Sequence, residues 1–131
     1  MSLIRNANKV VQAIDFTGVQ NGTIHPSDID AVFEFDNELL ILMEVKYRGT
    51  DIPIGQRLML ERICNSWHTN KSTVLKVEHD YDGNDNIPLD KCYVRKIYYK
   101  PTKDWIDIDA LPLIDILNKI GKKFNISKCK F

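Results

Sequence analysis

Residues 25–49, HPSDIDAVFEFDNELLILMEVKYRG, constrain the fold more than any other stretch. Two apolar runs flank Asp36-Asn37-Glu38, the pattern of two strands joined by a tight turn. The runs also carry Asp28, Asp30, Glu44 and Lys46. Acids and a lysine inside such strands are costly unless they have partners or bind something. Strand alternation puts Glu44 and Lys46 on one face of the second strand, and Asp28 and Asp30 on one face of the first.

Turn length decides whether those faces coincide. A two-residue loop, Asp36-Asn37, pairs Phe35 with Glu38 and sets Asp30 opposite Met43, so Glu44 points away from Asp30. A three-residue loop, Asp36-Asn37-Glu38, pairs Phe35 with Leu39 and sets Asp30 opposite Glu44 and Asp28 opposite Lys46. Asp and Asn suit either length. The three-residue loop is the expectation, because it gathers two carboxylates and an ammonium on one face. The plain structural alternative is a same-face ion pair of Glu44 and Lys46 near a strand end.

Pro26-Ser27-Asp28-Ile29-Asp30, an apolar strand and Glu44-Val45-Lys46 together resemble the PD-(D/E)XK nuclease superfamily over about residues 1–80. The resemblance implies a restriction-endonuclease-like α/β fold, a central mixed β-sheet flanked by helices. It implies a metal-dependent nuclease hydrolysing DNA phosphodiester bonds to 5′-phosphate and 3′-hydroxyl ends. Asp30, Glu44 and the backbone carbonyl of Val45 are then expected to hold Mg²⁺, with Mn²⁺ able to substitute. Lys46 would assist the attacking water. Gln56 matches a glutamine that many members place on the following helix. Asp30 is preferred to Asp28 on register and on the apolar Ala31-Val32-Phe33 that follows it; Asp28 is left to cap, to pair with Lys46 or to ligate through water. Two family features are absent: an acid inside the opening helix, where Asp15 at its end is nearest, and a tyrosine one turn after Gln56, where Leu60 stands. They favour the alternative, the same fold as an inactive module that binds nucleic acid or a protein. An unrelated α+β interaction protein is a third reading, and it makes the charged hairpin a coincidence.

At 131 residues the chain suits one domain, 1–131, with a proper core. Net charge is formally zero, so any affinity for nucleic acid must come from local patches. Arg48 and Arg57 flank the proposed centre, and a lysine-rich zone includes Lys96 and Lys100. These four are the candidate phosphate contacts, although solvated faces are the default for such runs. A second zone near the C-terminus holds Lys119, Lys122, Lys123, Lys128 and Lys130. Three cysteines without a C-x-x-C pair suit a reducing cytoplasm. No apolar run approaches the ~20 residues of a membrane helix. With no separate targeting domain, a homodimer or a place in a larger machine is expected.

Along the chain, the spacing predicts a helix over 3–14 and a loop over 16–24. A second helix over about 54–69 has Leu58, Leu60, Ile63, Cys64 and Trp67 as its apolar stripe. Strands follow over 72–79 and 91–100, with a short apolar piece at Trp105-Ile106. The last helix runs over about 111–124, burying Leu113, Ile114, Leu117, Ile120 and Phe124. The acids of 80–89 resemble a calcium loop, but Gly83 is out of place and Lys91 stands where the bidentate Glu belongs, so a solvated turn is preferred. Cys64 and His68 have half a zinc site's spacing, and a core cysteine is preferred. His25 is read as a loop residue.

Overall fold

The computed structural model describes residues 13–131. The helix expected over 3–14 falls outside the described residues except for Ala13 and Ile14, which are exposed coil, as is Asp15, the acid nearest to it. The remainder forms a five-stranded mixed sheet in the order β1-β2-β3-β4-β5. The strands are β1 (Ala31–Phe35), β2 (Leu39–Tyr47), β3 (Ser72–His79), β4 (Tyr93–Tyr99) and β5 (Asp104–Pro112), with helices α1 (Ile54–Ser66) and α2 (Leu113–Lys123). β2 and β3 run parallel through the α1 crossover, and every other neighbouring pair is antiparallel.

The two helices cover opposite faces, which is why β2 is apolar on both sides. Leu39, Ile41 and Met43 join Leu75, Val77 and the α2 residues Leu113, Ile116, Leu117 and Ile120 in one core. Leu40 and Leu42 join Val74, Tyr98 and the α1 residues Leu60 and Cys64 in the other. Ile116 replaces Ile114 at the centre of the α2 stripe; Ile114 is only half-buried.

Several expectations are corrected. Apolar residues on both faces of the hairpin predict two interior strands, but β1 is an edge strand, with Val32 half exposed. The piece at Trp105-Ile106 belongs to a nine-residue strand, β5, whose aspartates and exposed edge hide the apolar signal. Helix α1 ends at Ser66, because Trp67 is extended at φ −58°, ψ 137°. Helix α2 starts at Leu113, since Pro112 holds its N-cap. In β4 the simple alternation fails at Arg95: Val77 pairs with Val94 but Lys76 with Lys96. This bulge lets Val94 and Ile97 reach the same core although three residues separate them.

Beyond α2 the chain turns back at Asn125 (φ 58°) and lies along the helix. Gly121 admits that close approach, since a Cβ there would stand 2.1 Å from the Cys129 carbonyl oxygen. Phe131 is then tied to Asn118 by two hydrogen bonds, and its ring packs tilted against Phe33 of β1 with centroids 5.1 Å apart. Cys64, Cys92 and Cys129 are all free and buried.

Candidate functional site

The site begins with the turn. Asp36 (φ 49°) and Asn37 (φ 62°) both take left-handed conformations, which Asp and Asn tolerate best among non-glycine residues. The Glu38 N–H donates to the Phe35 carbonyl at 2.8 Å, and the Asn37 N–H donates to the Glu34 carboxylate. Three residues therefore lie between the paired Phe35 and Leu39, and the register continues to Ala31 opposite Met43. One step further, Asp30 meets Glu44. Its Oδ2 accepts the Val45 N–H at 2.7 Å, fixing the exposed carboxylate at the mouth of the strand pair.

Glu44 sits at the point where the α1-side core gives way to charge, and only 2% of it is exposed. Burial first, then hydrogen bonding and repulsion from Asp30, push its carboxyl up to about 8; Asp28 adds to the rise and Lys46 opposes it. A buried carboxyl this close to a second one cannot hold charge cheaply without a cation. Gln56, in the first turn of α1, donates from Nε2 to Glu44 Oε2 at 2.7 Å. The Lys46 ammonium stands 3.9 Å from Glu44 Oε1. Asp30, Glu44, Lys46 and Gln56 thus converge. Val45 meets Asp30 through its N–H, and the site that the resemblance would complete with its carbonyl is a pair of hard carboxylate oxygens. Among the described residues there is no group of three or more His, Cys, Asp or Glu placed to hold a metal ion.

β3 adds two groups that sequence reasoning passed over. In the parallel register Glu44 lies beside Lys76 and Lys46 beside Glu78. Lys76 Nζ binds Glu78 Oε2 at 2.6 Å, with both side chains buried. Glu78 Oε1 accepts the Gly49 N–H at 3.1 Å, tying down the loop after β2. Burial alone would raise Glu78, but the Lys76 hydrogen bond and the Gly49 N–H outweigh it and hold its carboxyl below the usual value. A signal existed. Glu44-Val45-Lys46 and Lys76-Val77-Glu78 are mirror-image triplets, and neighbouring parallel strands can pair such triplets charge against charge.

The candidate phosphate contacts separate into two sets. Arg48 faces Asp80 at 3.5 Å, Arg57 faces Glu61 at 3.3 Å and Lys96 faces Asp107 at 3.7 Å. All three border cavities next to the site. One, of about 300 Å³, is lined by Arg57, Lys76, Lys96 and Trp105 among others. The second, of about 590 Å³, is lined by Arg48, Lys76, Arg95, Lys96 and Tyr93 among others. Lys100 lies elsewhere, donating to the carbonyls of Trp67 and Thr69 just past the end of α1. There it satisfies carbonyls that the ended helix leaves open.

The remaining candidates stay apart from this centre. His25 is exposed and bonds the neighbouring Pro26 carbonyl. Cys64 contacts Ser72 at 3.3 Å inside the α1 core, while His68 is exposed. Residues 80–88 form an exposed loop with a turn at Asp82–Asp85. No helix among the described residues is long and apolar enough to cross a membrane. In comparisons with protein-family models, curated proteins and solved structures, nothing matches the chain.

Proposed function

We propose that this chain is a metal-dependent nuclease that hydrolyses DNA phosphodiester bonds. The observation that carries the reading is the convergence of Asp30 and Glu44 across the β1–β2 register, with Gln56 fastened to Glu44 and Lys46 beside it. Asp30 and Glu44 are the residues that would hold Mg²⁺ or Mn²⁺; the ion supplies Lewis-acid polarisation of the phosphate and a more acidic bound water. Lys46 orients the attacking water and offsets the negative charge that grows on the phosphate. Gln56 locks the Glu44 carboxyl in place through Oε2. Attack of water at phosphorus, with departure of the 3′ oxygen, leaves a 5′-phosphate and a 3′-hydroxyl.

Two features of this chain favour the reading over the inactive module. A structural ion pair of Glu44 with Lys46 does not need a second carboxyl, that of the exposed Asp30, at hydrogen-bonding range, and a buried carboxyl pushed up to about 8 is the kind of perturbation that functional sites collect. The test is cleavage of single-stranded, duplex and branched DNA in Mg²⁺ or Mn²⁺, beside Lys46→Ala. We expect the variant to lose at least about a hundredfold in rate, the scale of one preorganised charged group. No cleavage of any substrate in either metal would leave the binding module in its place, and equal rates in the variant would locate the activity elsewhere.

A further inference from the structure

We propose that the cleft beside the carboxyl pair binds a single unpaired strand, so that the substrate is single-stranded or branched DNA rather than uninterrupted duplex. The inference rests on the nuclease reading for the identity of the polymer, and its own footing is the shape and chemistry of the cleft.

The two cavities share Asp51, Lys76 and Lys96, and so form one continuous path across β3, β4 and β5. Lys76 is the register neighbour of Glu44, which brings that path alongside the acids. It is also recessed, with only 4% of its side chain exposed. Duplex phosphates sit on the outside of a stiff cylinder whose persistence length is about 150 base pairs. A recess lined by such a side chain suits that cylinder poorly, whereas an unpaired strand bends into it.

Charge and aromatic character follow the same path. Arg48 and Lys96 pair with exposed partners, Asp80 and Asp107, at 3.5 and 3.7 Å, and Arg48 also lies 5.7 Å from the Tyr47 ring; ion pairs of this kind are weak and yield to a phosphate. Arg95 is the extra residue of the β4 bulge and lines the larger cavity, in keeping with the use of bulges to aim a side chain. Of the acids lining the cleft, Glu78 is buried and already satisfied by Lys76 and the Gly49 N–H, Asp80 and Asp107 are the partners of Arg48 and Lys96, and Asp51 is exposed to solvent. Trp105 lines one cavity and Tyr93 the other. The Trp105 ring is held in place by its N–H bond to Glu61 at 2.7 Å and by Tyr98 at 5.4 Å. Cations in a groove with an aromatic at each end are the elements of sequence-tolerant single-strand binding.

The experiment measures binding in EDTA by fluorescence anisotropy, with a labelled oligothymidylate and a duplex of equal length. We expect the single strand to bind at least about tenfold tighter. Lys96→Ala and Arg95→Ala should each weaken it severalfold and lower the slope of log Kd against log salt by about one contact. In a Trp67→Phe background, where Trp105 is the remaining tryptophan, the single strand should quench the indole emission. Duplex bound as tightly as single strand, unchanged affinity in both variants, or binding without quenching would overturn the inference. Single-strand binding without cleavage of any DNA in Mg²⁺ or Mn²⁺ supports the cleft and removes the nuclease reading. Cleavage confined to duplex, with no single-strand binding, does the reverse.

Discussion

Glu44 makes the stability of the molecule depend on pH. Its carboxyl ordinarily titrates at 4.5 and is pushed to about 8 here, chiefly by burial and then by Asp30. An acid with a higher pKa folded than unfolded binds more protons when folded, so stability falls as pH rises between those values. The contribution is full below 4.5 and gone above about 8. In EDTA, urea midpoints should therefore drop from pH 5 to pH 9, and Glu44→Gln should flatten that slope while keeping the hydrogen-bonding shape. The variant should be the more stable protein at pH 9 and inactive in the cleavage assay. Addition of Mg²⁺ should restore alkaline stability to the wild type alone, by preferential binding to the folded state. These residues were legible because alternation and turn length fix which side chains share a face, and Asp36-Asn37-Glu38 left only two lengths to weigh. The pairing of Gln56 with Glu44 needed a helix position relative to a strand, and family resemblance alone suggested it.

Among the elements, the parallel pairing of β2 with β3 matters most for the site. It lays Lys76 and Glu78 beside Glu44 and Lys46, and Glu78 in turn anchors the loop at Gly49. Gly49 has φ 77° with open space around it, so a side chain there is resisted by backbone conformation rather than by contact. Gly49→Ala should cost about 1 kcal/mol in urea unfolding and loosen the wall of the cleft, weakening oligothymidylate binding more than it lowers stability. The hairpin, α1, β3 and α2 were readable from their apolar runs and spacing, although β3 is in fact buried at every position. β3 was found as a strand but its charges were not seen as a site, since strand order is a long-range fact that one sequence does not display. β5 escaped because Asp104, Asp107 and Asp109 interrupt its apolar positions on an exposed edge.

At the scale of the whole molecule, the mixed sheet flanked by helices is the general architecture that the family resemblance implied. The assignment to a nuclease fold stays a proposal resting on the site. The C-terminal segment closes the α2 layer over β1: Lys128 reaches Asp36 at 2.9 Å, and the Phe131 ring packs against Phe33. Nothing in its periodicity foretold this, since a short polar tail docks by individual contacts. Gly121→Ala should destabilise by about 2 kcal/mol or more, an overpacking cost, because the obstacle at 2.1 Å is backbone and cannot swing aside. Differential scanning calorimetry reads that loss as a lower melting temperature.

The burial of Cys64, Cys92 and Cys129 raises all three sulfhydryls above their ordinary ionisation range. Reaction with alkylating reagents proceeds through the thiolate and needs access, so the native protein should leave Ellman's reagent colourless and react at all three positions once unfolded in guanidinium. A cysteine introduced on the surface, at exposed His68 for example, would then be the sole handle for a spectroscopic label, with no native sulfur to remove first.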